Sequence, residues 1–218
     1  MNQQEMKRLV AESAVAKLKE GITLGVGSGS TVLCFIEALG KSGLQFKDVV
    51  AASESSAEAL RKVGYQVRDL NACDPIDIYV DGCDEIDATK CMIKGGGAAL
   101  TREKIIAAAS AEFLCIVDES KKVNILGKFP LPVEVIPMAR SYVARELAKL
   151  GGEPRWREGV VTDNGNWILD VYYFEIIDPI EMEAKINNIA GVVTVGIFAQ
   201  QKAHIVLMST QQGTVEEW

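Results

Sequence analysis

Three short segments of this chain carry residue types suited to polar chemistry. The first is Gly25-Val26-Gly27-Ser28-Gly29-Ser30-Thr31, which leads from an apolar run into an amphipathic one. In a strand-to-helix turn of this kind, exposed N–H groups and the positive helix end favour an anion. Ser28, Ser30 and Thr31 add hydroxyl donors suited to phosphate oxygens. No Gly-Lys-Ser/Thr follows at Walker A spacing, and Ser30 stands where a dinucleotide fingerprint has its third glycine. The second segment is Asp81-Gly82-Cys83-Asp84-Glu85, after the apolar run Ile76 to Val80. Two carboxylates three positions apart can bind sugar hydroxyls, hold a metal, or divide acid and base roles. The acidic-residue order of an EF-hand is absent. The third is Lys94-Gly95-Gly96-Gly97-Ala98-Ala99-Leu100-Thr101-Arg102-Glu103. Three glycines in a row are costly in chain entropy and point to close backbone approach. Glu103, at the start of a helix, is a candidate base or a first-turn dipole partner. Lys121 and Lys122 follow another apolar run, Phe113 to Val117, and offer a further anion contact. Anion cradle, hydroxyl-binding carboxylates, cation and base together suit chemistry on a small phosphorylated sugar.

These segments need a scaffold that brings them to one edge. Met6, Leu9, Val10, Ala14 and Leu18 recur at helical spacing, with Gly21 as a stop signal. Strands are expected at Ile22 to Val26, Val49 to Ala52, Tyr65 to Val67, Ile76 to Val80 and Phe113 to Val117. Helices are expected from Ser30 to Leu39, Ala57 to Val63 and Leu100 to Ala109. Alternating strands and helices imply parallel βαβ units with ligand loops at the carboxyl ends of the strands. All three segments fall at such positions.

Beyond Lys128-Phe129-Pro130-Leu131-Pro132 the pattern changes. A strand (Val133 to Ile136) and a helix (Arg140 to Leu150) precede two strands, Arg155 to Thr162 and Trp167 to Tyr172, joined at Asn164-Gly165. A helix (Pro179 to Ile189, capped by Asp178) and a strand (Val192 to Val195) complete the order βαββαβ. The expected fold is therefore α/β: a Rossmann-like parallel-sheet domain, 1–127 plus 201–218, with an inserted ferredoxin-like α+β domain, 128–200. A last strand, His204 to Met208, is expected to return to the first sheet.

Composition narrows the class. A hydrophobic share of 48% with 24% charged residues is that of a globular chain, with no apolar run long enough to span a bilayer. The net charge of -7 argues against nucleic-acid partners, so an anionic substrate must be met by local cations and N–H groups. Five cysteines without a CxxC pair argue against a zinc site or a disulfide framework. With no signal peptide in view, a cytoplasmic protein is expected. His204, within an apolar strand, and the tryptophans Trp156, Trp167 and Trp218 are read as structural.

With these residues in view, the chain resembles the type A ribose-5-phosphate isomerases over nearly its whole length. The resemblance rests on Gly25 to Thr31, Tyr79 to Ile86 and Met92 to Lys104, and extends to Leu126 to Val135 and Gly159 to Asn166. It implies interconversion of D-ribose 5-phosphate and D-ribulose 5-phosphate through an enediolate, in the non-oxidative pentose phosphate pathway. It implies no cofactor and no metal, and a homodimer. It further implies Glu103 as proton acceptor, with Lys94, Asp81 and Asp84 assisting. Substrate contacts would come from Ser28, Gly29, Ser30 and Thr31, from Asp81, Gly82, Cys83 and Asp84, from Lys94, Gly95, Gly96 and Gly97, and from Lys121. Two departures are visible: Ser28 where Thr is common, which keeps the hydroxyl, and Cys83 where Ala is common, which adds a thiol. Related α/β folds serve coenzyme A transferases, in which a glutamate attacks an acyl group, so a nucleophilic Glu103 is the alternative.

Overall fold

The computed structural model describes residues 1–218, which divide into two compact units. Unit 1 comprises Met1–Gly82, Arg102–Lys121 and Ala203–Trp218; unit 2 comprises Cys83–Thr101 and Lys122–Lys202. No helix is long and apolar enough to cross a membrane.

Unit 1 opens with α1 (Gln3–Val15), β1 (Thr23–Val26), α2 (Ser30–Ser42), β2 (Asp48–Ala51), α3 (Glu54–Lys62) and β3 (Ile76–Asp81). The first helix starts on a reciprocal cap: the Asn2 side chain accepts from Glu5 N–H, and the Glu5 carboxylate accepts from Asn2 N–H. After β4 (Glu85–Ile86) and β5 (Met92–Ile93) of unit 2, the chain runs through α4 (Leu100–Ala108) into β6 (Ser110–Asp118). It therefore crosses between units at Gly82/Cys83 and again at Thr101/Arg102, each time inside one of the three chemical segments.

Unit 2 continues with β7 (Leu131–Val135), α5 (Arg140–Lys149), β8 (Glu153–Trp156), β9 (Trp167–Tyr172), α6 (Pro179–Asn187), β10 (Val192–Val195) and β11 (Ile197–Phe198). Unit 1 closes with β12 (Ile205–Ser209) and β13 (Val215–Glu217).

The six-stranded sheet of unit 1 runs β13-β12-β6-β3-β1-β2. Every pairing is parallel except the edge pair β12–β13. Strands covered on both faces need near-continuous apolar runs, and Leu24, Val26, Val80, Leu114 and Ile116 are all buried here. Phe35, Ile36 and Leu39 of α2 pack into the same core. Register then does the positioning. Val26 lies opposite Val80, and Asp81 opposite Cys115, so β1 and β3 end side by side, and β6 runs on to Asp118 at the same sheet edge.

In unit 2 the antiparallel sheet runs β10-β7-β9-β8, the ferredoxin-like arrangement of a βαββαβ chain order. The expected fold class is what the structure shows, and the last strand does rejoin the first sheet, beside β6.

Local details differ. Tyr65 to Val67 is not a strand: only Val67 forms a single bridge, to Val49, after Gly64 at φ +100. The strand expected to reach Thr162 stops at Trp156, because Gly159 adopts φ +77 and the following loop folds inward. A three-stranded sheet, β11-β5-β4, is built from two-residue strands too short to show periodicity.

The inward fold of that loop has a cause. Glu134 on β7 is fully buried, and its carboxylate accepts from Thr162 Oγ1 at 2.9 Å, Asn166 Nδ2 at 2.9 Å, Asn164 Nδ2 at 3.3 Å and Thr101 Oγ1 at 2.5 Å. A buried carboxylate is tolerable when its lone pairs are filled in this way, and removing it strands the donors. Glu134→Ala is therefore expected to lower unfolding free energy by about 2–4 kcal/mol, and Glu134→Gln by less. Urea melts followed by circular dichroism check this; an alanine variant as stable as the native chain would contradict it.

Candidate functional site

The site is assembled in unit 1 from the ends of β1 and β3. Past Val26 the chain has no room for a side chain: a Cβ on Gly27 would lie 1.9 Å from Asp81 Cγ. Glycine at this position lets the Asp81 carboxylate sit directly against the loop backbone. Asp81 is fully buried. Its Oδ1 accepts from Ser28 N–H at 3.1 Å and from Gly82 N–H at 2.7 Å, and its Oδ2 accepts from the Tyr79 hydroxyl. A carboxylate so occupied organises the turn around it.

That turn aims Ser28. Its hydroxyl donates to Glu103 Oε1 at 2.5 Å, and Glu103 is only 3% exposed in the first turn of α4. The acidic side chain is thus buried beside the serine-rich loop. Gly29, at φ +95, then caps the 13-residue α2, so Ser30 and Thr31 occupy its N-terminal turn. Free backbone donors there, with the helix dipole behind them, suit a phosphoryl group. Lys7 of α1 donates to Ser30 Oγ at 2.9 Å, placing a positive charge on the same turn. At the end of β6, Asp118 accepts from Ser120 N–H at 3.0 Å and from its hydroxyl, and so shapes the short turn that ends at half-buried Lys121.

Unit 2 carries the remaining candidates. Lys94 follows β5 and is 2% exposed; its N–H donates to Gly196 O at 2.8 Å and its ammonium lies 5.4 Å from the Phe198 ring centre. A buried ammonium over an aromatic face keeps part of the stabilisation that water would supply. Gly95 has φ +106, and Ala98 N–H closes a turn onto Gly95 O at 3.0 Å. Gly96 N–H donates to Asp84 Oδ2 at 2.9 Å, and a Cβ on Gly96 would lie 2.7 Å from Asp84 Oδ1. The triple glycine thus brings backbone against a carboxylate, as its cost suggested. Gly97 lies in the same turn, and Cys83 and Asp84 are partly exposed.

Unit 1 therefore brings together Ser28, Gly29, Ser30, Thr31, Asp81, Gly82 and Glu103, with Lys121 on the same sheet edge. Unit 2 brings together Asp84, Lys94, Gly95, Gly96 and Gly97. Two contributors escape a reading of the sequence. Lys7 looks like any solvated lysine of an amphipathic helix. Tyr79 looks like a core aromatic, and only its hydroxyl contact with Asp81 gives it away. His204 proves structural: its Nδ1 accepts from Phe113 N–H at 2.9 Å.

Comparison with known proteins is consistent across three kinds of relative. Residues 48–213 match the family model described as ribose 5-phosphate isomerase A (phosphoriboisomerase A). The ribose-5-phosphate isomerase A of Dichelobacter nodosus (strain VCS1703A) is 66% identical, with 100% of each chain covered. Among solved structures, the ribose 5 phosphate isomerase A of Neisseria gonorrhoeae superposes with a TM-score of 0.97 at 46% identity, covering 99% of this chain and 96% of the other. A D-ribose-5-phosphate isomerase solved in complex with phospho-erythronic acid gives 0.96 at 37% identity, covering 100% and 99%.

The Tyr79–Asp81 contact generates a pH test. Burial, then the neighbouring Asp81 and Glu103 carboxylates, push the Tyr79 phenol well above its ordinary 10.0. The unfolded chain loses that proton near the ordinary value while the folded chain keeps it. Stability owed to Tyr79 is therefore constant below about pH 9 and falls as pH rises past about 10. The stability gap between the native chain and Tyr79→Phe should shrink over that range in urea melts. A gap that stays constant to about pH 11 would contradict the assignment.

Proposed function

We propose a single-carboxylate proton shuttle for this chain, which belongs to the ribose-5-phosphate isomerase A family and interconverts D-ribose 5-phosphate and D-ribulose 5-phosphate, a step of the pentose phosphate pathway. The supporting observation is a buried Glu103 carboxylate held by Ser28, the first hydroxyl of the anion-type loop. Isomerisation needs a base that removes the C2 proton of the open-chain aldose and returns it to C1. The C–H electrons become the C1–C2 double bond, and the carbonyl electrons move onto O1; O1 takes up the proton that O2 gives up as the C2 carbonyl forms. One carboxylate on one face of the resulting enediolate can serve both steps. No electrons leave the substrate, so the balance requires no redox cofactor.

The other roles follow from charge. The oxyanion needs a desolvated cation, and Lys94, buried over Phe198, is assigned to it. Asp84 orients substrate hydroxyls and assists ring opening, its own geometry fixed by Gly96 N–H. Asp81 acts through the loop it organises, keeping Ser28 on Glu103. Ser30, Thr31, Lys121 and Lys7 hold the phosphoryl end, so that remote binding energy positions the reacting carbons. Phospho-erythronic acid, present in one of the similar solved structures, supports this reading: it is a phosphorylated sugar acid whose planar, delocalised carboxylate carries negative charge as the planar enediolate does. The alternative, a glutamyl nucleophile for acyl transfer, has no step to perform in this reaction.

We also assign the chain to the cytoplasm, as a homodimer. Exposed apolar side chains in unit 2, among them Met138 at 94%, Ile177 at 83% and Tyr173 at 76%, support self-association. Sedimentation velocity should return twice the 23.6 kDa chain mass; a single-chain mass would contradict the dimer.

Glu103→Gln is expected to lower kcat by about 10³-fold and leave KM within a few-fold, since the amide keeps the shape and loses the base. Ribulose 5-phosphate formation in chelator-treated buffer measures both constants. A variant with more than a tenth of native kcat would contradict the role, and native activity abolished by chelation would contradict the metal-free reading.

A further inference from the structure

We propose that Arg157 is a positioning residue for the isomerisation, clamped by Asp170 and acting through the carbonyls of Gly95 and Gly96. The proposal deepens the isomerase reading and rests on it. Arg157 lies just beyond β8, and Asp170 faces it from β9. Arg157 Nε and Nη2 donate to Asp170 Oδ2 and Oδ1 at 2.7 and 2.5 Å, a two-pronged ion pair. Both side chains are largely covered, at 18% and 14% exposure, so solvent screens the pair less than a surface bridge. With the fork fixed, the remaining nitrogen has a set direction. Nη1 donates to Gly95 O at 3.2 Å and to Gly96 O at 3.1 Å.

The consequence follows from peptide planarity. The Gly95 carbonyl and the Gly96 N–H belong to one rigid trans unit and point in opposite directions. Arg157 holds the oxygen, and Asp84 Oδ2 accepts from the N–H at 2.9 Å. One peptide is thus gripped at both ends, between a guanidinium and a carboxylate assigned to the substrate. The next unit is gripped at its Gly96 oxygen, which turns Gly97 N–H away from the guanidinium. A cation on each carbonyl also polarises the peptide and makes its N–H a stronger donor.

Three consecutive glycines have no side chains to select a conformation and lose more freedom on ordering than any other residues. Arg157 supplies the selection from outside the loop. Lysine cannot replace it, because one ammonium cannot span the carboxylate and two carbonyls in fixed directions.

Steady-state kinetics of the native enzyme, Arg157→Ala, Arg157→Lys and Asp170→Asn test the role. Misplaced reacting groups cost kcat more than binding, so Arg157→Ala should lose about 30-fold in kcat with KM changed less than about 3-fold. Arg157→Lys should recover little of the loss, and Asp170→Asn should lose about 5-fold. Guanidinium at a non-denaturing concentration should raise the rate of Arg157→Ala and leave the native enzyme unchanged. A folded Arg157→Ala enzyme with native kcat would refute the role, as would a loss that guanidinium does not lift. If Arg157→Ala fails to fold, Asp170→Asn decides, and native kcat there refutes the role. An inactive native chain would instead refute the isomerase reading, which separates the two failures.

Discussion

The absence of a side chain at Gly27 is the constraint on which the rest of unit 1 depends. Any Cβ there would occupy the space of the Asp81 carboxylate. Because the space is open, Asp81 ends β3 inside the protein and fills its oxygens with Ser28 N–H, Gly82 N–H and the Tyr79 hydroxyl. With its N–H held by Asp81, Ser28 directs its hydroxyl toward Glu103. A missing methyl group thus fixes a carboxylate, which fixes a loop, which holds the carboxylate proposed to move the proton. Tyr79 belongs to the same chain of cause. Kept protonated by burial and by two nearby carboxylates, it donates a hydrogen bond at every physiological pH.

The chemistry explains why such an arrangement suits an acidic protein. With a net charge of -7, the chain as a whole repels a phosphorylated sugar. In the proposed site the attraction is local: the α2 N-terminus, the Ser30 and Thr31 hydroxyls, and Lys7 and Lys121. In unit 2 the glycine run gives Asp84 a backbone partner, and the Arg157–Asp170 pair holds that backbone in turn. Both units therefore use the same device. A carboxylate is made specific in direction by peptide N–H groups that only glycine-rich backbone can bring close enough.

Much of this was legible in the sequence, and the parts that were not share a physical reason. The Gly25 to Thr31 turn and the βαββαβ order are local patterns, written in consecutive residues. Glu103 was legible as a candidate because it stands at a helix start after an expensive glycine run. The function of Asp81 as loop organiser was not, since it depends on contacts with Ser28, 53 residues away, and on a tyrosine that otherwise passes for core. Lys7 was hidden for the same reason: nothing in α1 announces that its side chain reaches Ser30. Strands of two residues, such as β4 and β5, carry too little periodicity to be seen, and their pairing is set by tertiary packing. Tyr65 to Val67 shows the opposite error, where β-type residues have no partner beyond Val49 and form no strand.

The most direct measurement is the rate at which the C2 hydrogen of ribose 5-phosphate exchanges with deuterated water, followed by proton magnetic resonance for the native enzyme and for Glu103→Gln. Exchange reports removal of that hydrogen whether or not product is released. If the Glu103 carboxylate is the base, exchange should collapse together with turnover in the variant. Exchange persisting at the native rate would mean that another group takes the proton, and Glu103 would lose its place at the centre of the mechanism.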